Sequence, residues 1–254
     1  MSRRKNFSTT PPPPMRPAFS KKSFLVTGAS SGIGRAVTES LLAGGAKVTG
    51  IARDLSAAAP AENFRRWEMD LGDLKKLPQN LAALQKQCAG LDGAVLCAGA
   101  GRFGSLEEFS YGQISALLDL NLTSQIYLTR ALLPALKQNR AHLVFIGSES
   151  ALAGAPRGAV YCAAKFGLRG FAQSLRRECA AAGMRVTIVN PGMVRTRFFD
   201  GLSFAPGFDA DNALTAGEVA AAIVHALSVD GGVVDEINLS PLKKVVARKP
   251  PPSP

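Results

Sequence analysis

Histidine, tryptophan and cysteine are scarce in this chain, with two, one and four residues among 254. His142 and His225 lie far apart without acidic or thiol neighbours at ligand spacing, and Cys88, Cys97, Cys162 and Cys179 form no close pair and no metal-ligand pattern. A centre of the histidine and cysteine type and a disulfide framework are thereby excluded; the thiols are expected to be reduced and mostly buried as small apolar groups. The two histidines are expected to be satisfied or solvated groups rather than catalytic ones. Long apolar runs are lacking too: polar or charged residues interrupt every one before the roughly 18 residues of a membrane helix. Arg3-Arg4-Lys5 is followed by no apolar segment of secretory type, so a cytoplasmic protein with no membrane partner is expected.

Acidic residues are missing from both ends. Residues 1–22 and 243–254 together hold ten of the eleven excess positive charges, and the remainder carries 20 basic against 19 acidic residues. Such a balanced body offers no basic surface for nucleic acid, and no specific nucleic-acid partner is expected. Both ends are also rich in proline (Pro11 to Pro14; Pro250 to Pro252 and Pro254), and segments of that composition bury too little apolar surface to offset the entropy of ordering. Residues 1–22 and 243–254 are therefore expected to be disordered basic tails around one domain, 23–242.

That domain alternates strand and helix. Apolar strands are predicted at Phe24-Leu25-Val26, 47–52, 66–69, 94–97, 142–147, 185–189 and 234–239, and helices at about 33–42, 77–88, 111–136, 161–181 and 218–227, with residues 195–213 as a loop or small lid. The pattern implies an α/β fold, a Rossmann-like doubly wound parallel sheet covered on both faces as a three-layer α/β/α sandwich. In such sheets the ligand sits beyond the carboxyl ends of the strands.

The first strand ends in Thr27-Gly28-Ala29-Ser30-Ser31-Gly32-Ile33-Gly34 and reopens as a helix. Gly28 permits the turn, Gly32 lets backbone approach a phosphate, and Gly34 allows close packing of helix on strand. With Ser30, Ser31 and Ile33 these residues form the predicted pyrophosphate cradle of a dinucleotide. At the end of the second strand, where an acid selects NAD and an arginine pairs with the 2'-phosphate of NADP, the chain reads Ala52-Arg53-Asp54. Arg53 favours NADP over NAD, with Asp54 as the alternative ribose partner. Asp70, with Leu71 beside it, stands where a carboxylate receives the adenine amino group or caps the next segment.

Tyr161 and Lys165 are one helical turn apart on one face, where an ammonium is placed to lower a phenol's pKa. Ser148 lies at the carboxyl end of the predicted fifth strand, and Asn121 is a polar residue among Leu118, Leu120 and Leu122, read on its own as an exposed helix position. These residues, with Thr27, Gly28, Gly32, Gly34, Asp70, Ala98-Gly99, Pro191-Gly192 and Thr196, occur in the order and at the spacing of the short-chain dehydrogenase/reductase family, which the chain resembles from about Ser23 to Leu242.

The resemblance implies that Tyr161 is the general acid in reduction and the general base in oxidation, that Ser148 orients the substrate carbonyl, and that Lys165 holds the nicotinamide ribose and depresses the Tyr161 pKa. It further implies that Asn121 anchors a proton-relay water, that Ala98, Gly99, Pro191, Gly192, Val194 and Thr196 meet the nicotinamide nucleotide, and that the substrate is a small carbonyl or alcohol compound. A homodimer or homotetramer is implied as well. One departure is Leu96-Cys97 where many members carry paired asparagines; altered cofactor affinity is expected from it. The chain's ending resembles a branch that oxidises serine and related 3-hydroxy acids with NADP. Phe198, Phe199, Phe204 and Phe208 suit an apolar or acyl substrate or a subunit contact, Arg195 and Arg197 a carboxylate, and Glu149 is either a solvated acid or a pocket residue. Two further readings stay open: a 3-oxoacyl thioester reductase and a non-catalytic NADP-binding regulator.

Overall fold

The computed structural model describes residues 19–58 and 61–249. Seven parallel strands form the sheet: β1 (Ser23–Thr27), β2 (Lys47–Ala52), β3 (Phe64–Glu68), β4 (Gly93–Leu96), β5 (His142–Ile146), β6 (Arg185–Pro191) and, numbered in chain order after three short strands, β10 (Glu236–Leu239). Their spatial order is β10-β6-β5-β4-β1-β2-β3. The order reverses between β1 and β4, the switch point at which a crevice opens in doubly wound sheets. The short strands are β7 (Val194–Arg195) with β9 (Leu214–Thr215), and β8 (Phe204–Pro206) with β11 (Val246–Arg248).

Alternation along the strands builds two cores. Leu25, Ala94, Leu96, Leu143, Phe145, Val186 and Ile188 point to one face, under α2 (Leu77–Gln85), α4 (Ser124–Gln138) and α5 (Ala159–Cys179). Phe24, Val26, Val48, Val95, Val144 and Val189 point to the other, under α1 (Gly32–Ala43) and α6 (Ala216–Ser228). Strands apolar on both faces are what burial beneath two helical layers requires.

The long helix predicted over 111–136 is broken. α3 (Tyr111–Leu118) passes through a π turn, Asp119–Thr123, before α4 resumes. Side chains cause the widening: Asn121 Nδ2 donates to the Leu117 carbonyl (2.9 Å), and Ser124 Oγ and Gln125 Nε2 both donate to that of Leu120 (2.7 and 3.2 Å). Asn121 is fully buried, not an exposed helix residue.

Two boundaries differ from expectation. Phe19, assigned to the front tail, is buried with its ring edge-on to Phe24 at 5.4 Å, and its N–H donates to the Gly44 carbonyl (2.9 Å). Residues 243–249, assigned to a disordered tail, contain β11 and are held by backbone pairing to β8. Residues 1–18 and 250–254 lie outside the described residues.

His142, expected to be satisfied or solvated, is buried with one of its two ring nitrogens unpartnered among the described residues. Thr187 Oγ1 donates to the Val234 carbonyl (2.6 Å) and so accepts from His142 Nε2 (2.7 Å), which leaves Nδ1 a buried lone pair with no partner among the described residues. Burial pushes the imidazole pKa down to about 4, and the Arg185 charge acts the same way. Because the unfolded chain titrates near 6.5, it alone binds this proton between pH 6.5 and 4: stability is complete above that window and falls as pH drops through it, by about 2 kcal/mol at pH 5. Urea unfolding at pH 7 and pH 5 checks this. His142→Leu is expected to lose that part of the pH dependence, and an unchanged slope would count against it.

Candidate active site

One cleft of about 1300 Å³ opens at the carboxyl ends of β1, β4, β5 and β6. At its floor the chain leaves β1 through Gly28 (φ 67°), and Gly32 (φ 53°) opens α1. A Cβ on Gly34 would stand 2.3 Å from the Gly28 carbonyl oxygen, so only glycine lets α1 approach the loop this closely. Ser31, which precedes the helix, makes no side-chain cap, and the first turn carries no acid. The free amides and positive helix end are therefore directed at whatever anion enters. Ser30, Ser31 and Ile33 line the same floor. These features fit the pyrophosphate of a dinucleotide.

Next to the Cys97 departure, Thr27 Oγ1 of β1 accepts the Ala98 N–H at 3.0 Å and ties the two loops together. Gln125 Nε2 holds the Ala98 carbonyl at 3.1 Å. Desolvation pushes the half-buried Cys97 thiol up to about 12, which keeps it neutral. Pro191, Gly192, Val194 and Thr196 close the opposite wall, with Thr196 Cγ2 3.3 Å from where a Gly32 Cβ would be.

Arg53 lines the cleft at the end of β2, exposed and without an ion pair among the described residues. Asp54 also lines it, but its carboxylate is engaged by the Ser56 N–H (2.8 Å), which together with the Ser56 side chain holds its pKa below the ordinary value. Asp70 and Leu71 are not among the lining residues: Asp70 accepts the Gly72 N–H (2.8 Å), and Leu71 packs in the core. Asp70 is exposed and gives one of its two carboxylate oxygens to this turn.

Ser148, Tyr161, Lys165 and Asn121 all line the cleft, drawn from three separate places in the chain. Ser148 lies just past β5, where its Oγ accepts the Ser150 N–H (3.1 Å). Lys165 is buried, and Nζ donates to the Ile146 carbonyl (2.9 Å) from 5.7 Å off the Tyr161 ring. The carboxamide of Asn121 clasps Ala100 at both N–H (3.3 Å) and carbonyl (3.0 Å), and a Cβ on Gly99 would meet Asn121 Oδ1 at 2.8 Å and Lys165 Nζ at 3.8 Å. Asn121 and Lys165 thus converge at Gly99.

The electrostatics differ from the expectation that Lys165 lowers the Tyr161 pKa. Burial pushes the phenol well above its ordinary range; Ser148 pulls it down by hydrogen bonding, and Cys162 and the Glu149 carboxylate push it up. Burial also lowers Lys165 to about 8, which leaves it mostly protonated at neutral pH. Without a ligand, Tyr161 is a retained proton donor.

Aromatic rings enclose the phenol. Phe103 lies 5.1 Å from Tyr161 and 5.0 Å from Phe204, and Phe198 lies 6.0 Å from Tyr161. Phe199 joins Phe198 and Phe204, whereas Phe208 is 94% exposed and takes no part. Phe103 was missed in the sequence; its only signal is its place after the Ala98 to Gly101 turn. Arg195 is spent on the loop itself, donating to the Gly207 and Asp209 carbonyls (2.9 and 3.0 Å), while Arg197 lines the cleft. Glu149 is a cleft residue paired with Lys244 at 2.8 Å.

A parallel doubly wound sheet with this cradle and this tyrosine, lysine, serine and asparagine set defines a nucleotide-dependent oxidoreductase. The model of the short chain dehydrogenase family matches residues 22–204, and the chain belongs to that family. An uncharacterized oxidoreductase of Staphylococcus epidermidis is 30% identical over 229 residues, 87% of this chain and 98% of that protein. The 3-oxoacyl-(acyl-carrier-protein) reductase of Escherichia coli is 34% identical over 191 residues, 73% of this chain and 78% of that one. Among solved structures, ElxO with NADP bound shares the fold at 20% identity and TM-score 0.75, over 86% of this chain and 97% of its own. The 3-ketoacyl-(acyl-carrier-protein) reductase of Brucella melitensis with NADH shares it at 20% identity and TM-score 0.76, over 89% and 100%. No helix among the described residues is long and apolar enough to cross a membrane.

Proposed function

We propose that the protein is an NADP(H)-dependent oxidoreductase acting on a carbonyl or secondary alcohol, with Tyr161 as the acid and base. The observation that carries this reading is the convergence of Ser148, Tyr161, Lys165 and Asn121 on the same cleft as the glycine cradle. The nicotinamide, when bound, exchanges hydride with the substrate carbon. In reduction, Ser148 Oγ and Tyr161 Oη hold the carbonyl oxygen and Oη gives up its proton to it; in oxidation Oη takes the proton back. Lys165 is assigned to the nicotinamide ribose, and Asn121 to anchoring the water through which that proton is replaced. The aromatic enclosure excludes water from the reacting oxygen.

Arg53 supports NADP over NAD, since its guanidinium stands at the end of β2 without a carboxylate partner among the described residues. Replacing Arg53 with Ala is expected to weaken NADPH binding roughly ten- to a hundredfold and NADH binding little, the loss typical of one charge-assisted contact. Fluorescence titration with both nucleotides measures it; equal losses would remove Arg53 from the 2'-phosphate site. Exposed Tyr111, Tyr127 and Phe166 on α3, α4 and α5 support a homodimer or homotetramer, which light scattering tests.

The deciding experiment is titration of the purified protein with NADPH and NADH, followed by a panel of ketones, alcohols and 3-oxoacyl thioesters read at the nicotinamide absorbance. Turnover with NADPH is expected. Turnover confined to acyl thioesters selects the thioester reductase reading, which the Escherichia coli relative favours. Tight binding without turnover on the whole panel favours a nucleotide-binding regulator.

A further inference from the structure

After β10 the chain returns to the cleft. β11 runs antiparallel to β8 with Arg248 directly opposite Phe204, and the ribbon is tied down by Lys249 N–H on the Ser203 carbonyl (2.8 Å), Lys244 on Glu149 (2.8 Å) and Lys243 on Asp211 (2.7 Å). Opposed residues of an antiparallel pair project to the same face. Arg248 therefore shares the face of Phe204, whose ring meets Phe103 at 5.0 Å, which in turn meets Tyr161 at 5.1 Å. Arg102, next to Phe103 in the chain, lines the cleft as Arg248 does.

Lys249 also lines the cleft, but its ammonium donates to the Phe199 carbonyl; from the remaining cations of the substrate end these two arginines stand apart. Arg157 is paired with Glu108, Arg197 with Asp200 and Lys244 with Glu149, whereas Arg102 and Arg248 have no carboxylate partner among the described residues. They are also remote in the chain from Arg53 and the nucleotide cradle. Two unpaired guanidinium groups beyond an apolar passage are suited to a molecule with a neutral reacting end and an anionic far end.

Resting on the reading of this cleft as a carbonyl site, we propose that Arg248, assisted by Arg102, receives a substrate oxyanion. The β8–β11 ribbon is then a specificity element, and the substrate is a ketone or secondary alcohol whose acid group is separated from the reacting carbon by an apolar spacer lying along Tyr161, Phe103 and Phe204. Carboxylate and phosphate share the chemistry needed.

The test compares 5-oxo-5-phenylpentanoate with its methyl ester, and with the same ketone carrying a terminal phosphate in place of the carboxylate. Steady-state rates are measured with NADPH. The same compounds are titrated calorimetrically into the NADPH-loaded Tyr161→Phe protein, which reads the anion site even where no turnover occurs. The acid is expected to be favoured over the ester by about tenfold, in KM and in affinity rather than in kcat, as one exposed charge-assisted contact allows, and raised salt should shrink the preference. Arg248→Gln is expected to reduce it to within about twofold, while Lys75→Gln, an exposed lysine before α2 that neither lines the cleft nor holds the ribbon, retains it. A larger preference for the phosphate compound identifies phosphate as the natural group. Equal affinity for acid and ester, no binding of any of the three compounds, or a preference that survives both Arg248→Gln and Arg102→Gln overturns the proposal. The reductase reading is judged separately, by turnover of the ester.

Discussion

Tyr161→Phe is expected to lower kcat by about a hundred- to ten-thousandfold on any carbonyl substrate, the range that a positioned proton donor contributes. The substitution removes Oη alone: the ring stays where Phe103 at 5.1 Å and Phe198 at 6.0 Å hold it. Nucleotide affinity is expected to stay within about twofold, because the cradle and Lys165 are untouched. Folding stability should hold or rise slightly, since a buried phenolic oxygen is lost with no backbone partner abandoned. Initial rates, NADPH titration and a thermal melt on one preparation check the three parts together. Near-normal turnover would mean that the proton comes from elsewhere.

Gly34→Ala is expected to weaken nucleotide binding by more than about a hundredfold and to destabilise the fold by roughly 1–3 kcal/mol, the usual cost of forcing a methyl group into filled space. The new Cβ would lie 2.3 Å from the Gly28 oxygen and 2.9 Å from the Thr27 oxygen, both backbone atoms that cannot rotate away. Relief requires α1 to withdraw from β1, and the amides at its start withdraw with it. Gly90→Ala is the comparison, since nothing lies within 4 Å of its Cβ, and its melting temperature and NADPH affinity are expected to match the parent. A Gly34→Ala protein that binds NADPH normally would show that the helix start does not hold the pyrophosphate.

The parts of this molecule legible in the sequence are those governed by local pattern. Apolar strands broken by glycine, with helices between them, announced the doubly wound sheet, and β2 was delimited to the residue at Lys47–Ala52. The cradle was legible because each glycine answers a backbone requirement within eight residues. Ser148, Tyr161 and Lys165 were legible because a strand end and a helical turn place them.

The rest depends on distant chain. Nothing in the apolar periodicity of 111–136 marks the π turn, which arises when Asn121, Ser124 and Gln125 capture backbone carbonyls. Lysine and proline around Val245-Val246-Ala247 conceal a strand whose order comes from Phe204–Pro206, some forty residues earlier. Asp70 gives one carboxylate oxygen to its own turn at Gly72, a local bond that the strand pattern does not show. Spacing shows that Lys165 is near Tyr161 but not that both groups lose their water, and burial raises the phenol's pKa while it lowers the ammonium's.

Hydride transfer with a proton from Tyr161 is the central claim, and isotope transfer addresses it directly. NADPH carrying deuterium at C4, supplied in turn on each face of the nicotinamide, is incubated with the protein and an aryl ketone, and the alcohol is examined by mass spectrometry and proton NMR. The account predicts one deuterium on the carbinol carbon from one face only, hydrogen there from the other, and loss of the product in Tyr161→Phe. Deuterium absent from the carbinol carbon with both nucleotides, or product formed at the parent rate by Tyr161→Phe, would contradict it.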